Sequence, residues 1–313
     1  MARAFVFPGQ GSQAVGMGKA LADAFPVARE VFQEVDDALA QKLSKIMFEG
    51  PMEELTLTAN TQPALMANSV AIMMVLQAEG GLDLGVSAEL IAGHSLGEYS
   101  ALAAAGSLDL ADTARLLKLR GEVMQAAVPA GEGAMAALLG LDLDAAKEAA
   151  AEGAGDDVCD VANDNAPGQV VVSGTKAAVE RAIEVAKAKG ARRAILLPVS
   201  APFHCSLLQP AADAMEVAFE SIAMSAPVVP LVSNVTASLV ADPIRIKQLL
   251  VQQVTATVRW RECVLAMSAA GVNELIEIGC GKVLSSMVKR ISKEMTAKNV
   301  ETADDIEAIL KML

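Results

Sequence analysis

Aromatic residues make up only 3% of this 313-residue chain, with one Trp and one Tyr. That scarcity argues against a protein that stacks on single-stranded bases. Basic residues are short as well: 25 Lys and Arg against 38 Asp and Glu leave a formal charge of −13. A general nucleic-acid binder, whose affinity comes from neutralising phosphates, is therefore not expected. Histidine occurs twice and cysteine four times, with no Cys-x-x-Cys spacing. So few ligands, so spaced, do not make a zinc site, and neither a metal nor a cofactor is expected in a reduced, cytoplasmic protein. Long apolar runs are missing too. The uncharged windows 56–78, 194–212 and 221–241 are each interrupted by Pro and by amides or hydroxyls. None is the run of about 20 apolar residues that a membrane-spanning helix needs. The apolar stretch 4–7 is too short for a signal peptide.

What the chain does have is 53% hydrophobic residues, mostly Ala, Val, Leu and Met, which excludes global disorder. Its length suits one large domain or two ordinary ones. Residues 4–7 read as a strand, followed by the turn Pro8-Gly9-Gln10-Gly11 and a helical pattern to about residue 39. A second helix spans about 64–76, a short strand 89–93, and a helix starts at Ser95 or Leu96. Strand, glycine turn and helix in succession point to an α/β architecture with a parallel sheet. The middle of the chain differs. Strands at 133–140, 158–162, 169–173 and 194–199 alternate with helices at 143–152 and 175–189 as β-α-β-β-α-β, the ferredoxin-like unit. Residues 163–168 read as the loop between its second and third strands. The α/β pattern resumes after Pro202, with strands at 227–232 and 274–278. The expectation is a discontinuous larger domain, 1–127 with 201–313, carrying an inserted small domain at 128–200.

Gly93-His94-Ser95-Leu96-Gly97 fits the G-x-S-x-G pattern between a predicted strand and a predicted helix. In that context the serine sits on a strained turn, with its oxygen facing free N–H groups at a helix start. The plain alternative is a helix N-cap. A nucleophilic serine needs a base. His94 is its neighbour and diverges from the turn, so His204, on a loop fixed by Pro198 and Pro202, is the candidate. Its plain alternative is a hydrogen-bonded loop histidine. In the predicted helix 109–127, Arg120 falls opposite the face of Arg115, Lys118 and Glu122, so it turns inward. An inward guanidinium requires a partner: a structural carboxylate, the commoner case, or the carboxylate of a substrate. The Gly9-Gln10-Gly11 turn taken alone is a structural turn.

Together these pieces resemble one family, the malonyl-CoA:acyl carrier protein transacylases of bacterial fatty-acid synthesis. The resemblance rests on segments 7–13, 93–102, 120–125, 161–170, 200–205 and 279–283, which span nearly the whole chain in the family's order. It implies a hydrolase-like α/β domain with the ferredoxin-like insertion, and a reaction in two steps. Ser95 takes the malonyl group from malonyl-CoA with His204 as base, then passes it to the phosphopantetheine thiol of holo-acyl carrier protein. It further implies that the backbone N–H groups of Gln10 and Leu96 form the oxyanion hole. Arg120 would hold the malonyl carboxylate, and the backbone carbonyl of Gln253 would orient His204. Phe203 resembles the bulky residue that excludes a methyl branch. A monomer, with Lys187/Lys189/Arg192/Arg193 or Lys282/Lys289/Arg290 as the docking patch for the carrier protein, completes the expectation. The chain departs from the family pattern at Ala256-Thr257 and at Cys280.

Overall fold

The structure, a computed structural model, describes residues 2–312. In chain order its strands are β1 (Arg3–Phe7), β2 (Leu90–Gly93), β3 (Gly133–Leu139), β4 (Cys159–Ala166), β5 (Gln169–Thr175), β6 (Arg193–Leu196), β7 (Leu231–Val232), β8 (Leu239–Val240), β9 (Glu274–Ile278) and β10 (Thr296–Val300). Six of them form one sheet in the order β10-β9-β1-β2-β7-β8, parallel except for the β7–β8 pair. Side chains along a strand alternate between faces. In β1, Phe5 and Phe7 enter one core with Ile91, Leu231 and Ile276. Ala4 and Val6 enter the other, with Leu90, Ala92, Val232 and Leu275. Both faces are covered, which is why these parallel strands read as continuous apolar runs.

The other four strands form an antiparallel sheet in the order β4-β5-β3-β6, the strand order of a ferredoxin-like unit. Helices Leu143–Ala154 and Lys176–Ala188 close a separate alanine- and valine-rich core on it. We propose 128–200 as the bounds of this inserted unit, with 1–127 and 201–313 making the larger one.

Several elements differ from the sequence expectation. β4 runs on to Ala166, so Asn163-Asp164-Asn165 lies in a strand rather than in a loop. Its polar residues are held from outside the sheet: the Asp164 N–H donates to the Val258 carbonyl at 3.0 Å, and Val258 N–H to Ala162 at 2.8 Å. The register shifts on either side of this run are the cost of that second attachment. The helix expected at 64–76 spans Thr58–Gly80 and contains Pro63. It is buried on nearly every side, as a helix apolar all round must be. β7 is only two residues long, and β8 and β10 carried no recognisable signal. Among the described residues no helix is long and apolar enough to cross a membrane.

Candidate active site

Ser95 lies between β2 and the helix Gly97–Ala104, with a left-handed φ of +54°. That turn is tight enough to dictate its neighbours. A Cβ on Gly93 would sit 1.8 Å from the Gly97 carbonyl carbon, and one on Gly97 would sit 2.2 Å from the Phe7 oxygen. The second glycine therefore locks the turn against β1. A Cβ on Gly9 would likewise fall 2.7 Å from the His94 oxygen, so the Pro8-Gly9-Gln10-Gly11 turn presses against the serine turn. These two segments leave the carboxyl ends of adjacent parallel strands. Among the described residues neither the Gln10 nor the Leu96 N–H has an acceptor within the protein.

His204 arrives from the loop after Pro202, also with a left-handed φ, +59°. Its Nε2 lies 2.8 Å from Ser95 Oγ and its Nδ1 2.8 Å from the Gln253 carbonyl oxygen. A carbonyl only accepts, so Nδ1 carries the proton and Nε2 offers its lone pair to the serine hydroxyl. Burial, reinforced by the nearby Arg120 charge, lowers the imidazole pKa to about 3 and keeps the ring neutral. His94 is separate from this pair. Its Nε2 is 2.8 Å from Asn165 Oδ1, and its ring packs near Trp260.

Arg120 reaches the same cleft from the helix Leu110–Ala126 and is 1% exposed. The residues alone favoured a structural carboxylate as its partner, and among the described residues no ion pair forms. Its acceptors are neutral: Gln62 Oε1 at 2.8 Å, Gln253 Oε1 at 3.0 Å and Ser95 Oγ at 3.1 Å. Its Nε has no partner. The Tyr99 ring lies 5.6 Å from the guanidinium carbon. A buried arginine lined only by neutral groups leaves a cationic seat for an anion.

The cleft holds about 130 Å³, and Met124, Met135, Leu197, Val199 and Phe203 form its apolar wall. Asn163, from the inserted unit, also lines it. The arrangement suits attack of Ser95 on an acyl carbonyl whose acid end reaches Arg120.

The acyl transferase domain family matches residues 4–308. The chain is 45% identical over 314 residues to the malonyl CoA-acyl carrier protein transacylase of Bacillus subtilis, covering 99% of this chain and 96% of that one. It is 46% identical over 309 residues to that of Escherichia coli K12, covering 99% of each. The chain belongs to the malonyl CoA-acyl carrier protein transacylase family. Among this family's solved structures, the acyl-carrier-protein-S-malonyltransferase of Bartonella henselae superposes with a TM-score of 0.97 at 57% identity, covering 100% of this chain and 99% of that one. A malonyl-transacylase in complex with its type II PKS acyl-carrier protein gives 0.96 at 45% identity, covering 100% of both chains.

Three groups at the site were missed in the sequence. Asn234 accepts the Ser95 N–H at 2.8 Å through Oδ1 and donates to the Gly93 carbonyl at 2.7 Å, bracing the serine turn. It follows a two-residue strand and carries no local signal. Gln62 sits beside Pro63, which marked the place as a boundary. Glu98 had a signal: the segment 97–102 offers no polar face, so a glutamate within it has to be buried.

Proposed function

We propose that this protein transfers the malonyl group of malonyl-CoA to the phosphopantetheine thiol of holo-acyl carrier protein, supplying fatty-acid elongation. The observation that carries the proposal is the Ser95–His204–Gln253 carbonyl chain ending beside a buried arginine without a carboxylate. Family membership along the whole chain supports the same assignment.

His204 Nε2 takes the Ser95 proton as Oγ bonds to the thioester carbon. The oxyanion is received by the two N–H groups of Gln10 and Leu96, a pair of donors each worth about 10²–10³ in rate. Breaking the carbon–sulfur bond leaves a malonyl ester on Ser95, and the departing coenzyme A thiolate takes the proton back from His204. The carrier-protein thiol then repeats the sequence: His204 deprotonates it, its sulfur attacks the ester, and Ser95 Oγ recovers the proton. Arg120 holds the malonyl carboxylate throughout, and an acetyl group would leave that guanidinium unpaired. Phe203 narrows the cleft against a branched acyl chain.

The enzyme acts as a monomer in this scheme. For docking an acidic carrier protein, the exposed cluster Lys282, Lys289 and Arg290 is favoured. In the other cluster Lys187 pairs with Glu184, and Lys189 with Glu148 and Glu152.

Intact-protein mass spectrometry after brief mixing with malonyl-CoA or acetyl-CoA tests the proposal. The expected result is a malonyl adduct that Ser95→Ala abolishes, that holo-acyl carrier protein clears, and that far exceeds the acetyl adduct. Absence of the adduct, or equal loading by acetyl, returns the site to a hydrolase or a docking role.

A further inference from the structure

Glu98 lies in the first turn of the helix that follows Ser95 and is 0% exposed. A carboxylate so placed is costly unless both oxygens are used. Both are: one accepts the backbone N–H of Asn234, and the other accepts Gln253 Nε2 at 2.9 Å. Among the described residues it has no ion-pair partner; the cation nearest in the network is Arg120, reached across the Gln253 side chain.

That side chain has one chemical freedom, a 180° turn of its amide. Around its NH₂ end stand three acceptors: Glu98 Oε2, the Ser95 carbonyl at 3.1 Å and Asn234 Oδ1 at 3.4 Å. Around its oxygen stands a donor, Arg120 Nη2, at 3.0 Å. Turning the amide would set NH₂ against the guanidinium and oxygen against the carboxylate, two repulsive contacts in a dry site. Burial pushes the Glu98 carboxyl up to about 8, so the choice rests on the arrangement of partners: three acceptors face the NH₂ end and one donor faces the oxygen. Gln253 thus performs two tasks on separate atoms: its main-chain carbonyl orients His204, and its side-chain oxygen fixes Arg120.

We infer that Glu98 is a positioning residue for acyl selection: through the Gln253 amide it aims Arg120 Nη2, and so sets the preference for acyl groups that end in a carboxylate. This rests on the proposed malonyl transfer. It adds that the preference is set partly by a residue that touches neither the acyl group nor the reacting atoms.

The test is the ratio of kcat/KM for Ser95 acylation by malonyl-CoA to that by acetyl-CoA, measured for the native enzyme and for Glu98→Gln. The glutamine keeps an acceptor for the Asn234 N–H but turns a donor toward Gln253 Nε2, which drives the amide to turn over. Malonyl loading is expected to fall roughly tenfold, the size of one lost hydrogen bond to a charged group, mainly through KM. Acetyl loading should change by less than about twofold, so the ratio collapses. An unchanged ratio overturns the inference, whether both substrates fall together, as a purely structural role of Glu98 in the serine turn would produce, or neither falls. If Glu98→Gln does not fold, Gln253→Met examines the same relay: it keeps the main-chain carbonyl on His204 and removes the amide. The ratio should collapse again, and its survival overturns the inference. Failure of the native enzyme to load malonyl at all sinks the underlying function instead, and this inference with it.

Discussion

At the scale of single residues, the proposed base His204 makes a definite prediction about pH. Burial and the Arg120 charge lower its pKa from 6.5 to about 3. The folded protein therefore binds this proton less readily than the unfolded chain. The neutral imidazole contributes stability that is complete above 6.5 and is lost as the pH falls toward 3. The free enzyme should keep its base in that window, so kcat/KM for Ser95 acylation should show no acid limb near 6.5. A pH profile with an apparent pKa at the ordinary histidine value would refute this. Ser95 and His204 could be proposed from sequence because each stands in a recognisable setting, a glycine-bounded turn and a proline-fixed loop. A strained turn at Ser95 was expected from its flanking glycines, but the left-handed backbone at His204 was not, since there a non-glycine φ of that sign is imposed by packing around it. Arg120 shows the opposite limit: helical phase placed it inward, but only the structure tells that its acceptors are amides and a hydroxyl.

Secondary-structure elements carry these residues into register through a few close approaches. Gly121 follows Arg120, and a Cβ there would sit 2.6 Å from the Cα of Ala59, in the first turn of the long buried helix. That contact sets the distance between Arg120 and Gln62, which lies one turn further along. Gly121→Ala should push the two helices apart, costing about 1–3 kcal/mol as an overpacked contact. It should also lower malonyl loading more than acetyl loading, because the guanidinium moves and the Ser95–His204 pair does not. Denaturant unfolding together with the two acylation rates would check both parts. The helix bearing Arg120 was legible to within a residue, since Asp109 caps it with bonds to the N–H groups of Ala111 and Asp112. The helix it presses against was not. Pro63 removes a backbone donor and reads as a start, yet the turn before it is anchored by side chains. Asn60 donates to the Glu54 carbonyl at 2.9 Å and Thr61 to that of Leu55 at 2.5 Å.

Across the whole molecule, β4 fastens the inserted sheet to the larger unit. Arg261, on the helix Trp260–Ala269, places Nε 2.8 Å and Nη2 2.8 Å from Asp164 Oδ2. Thr257 Oγ1 donates to the Val161 carbonyl at 2.5 Å beside it. One residue on either side of Asp164, Asn163 lines the cleft and Asn165 holds His94, so the attachment also sets the cleft wall against the serine turn. This join was invisible in sequence because the polar run 163–165 has the composition of a loop, and its partners are about 100 residues away. The Asp164 side chain is 3% exposed and that of Arg261 is 26%. Removing the arginine therefore strands a buried carboxylate, although water reaches the vacated side and softens the loss. Arg261→Met should cost roughly 2 kcal/mol, less than a fully buried pair but more than a surface one. The loss should be read as a lower denaturant midpoint. If β4 is what makes the two units unfold together, the variant should also show the inserted unit melting ahead of the larger one, with hydrogen exchange speeding first in β4 and β5. A midpoint unchanged from the native protein, or exchange that speeds uniformly in both units, would mean that the join is carried by the backbone bonds to Val258 rather than by the ion pair.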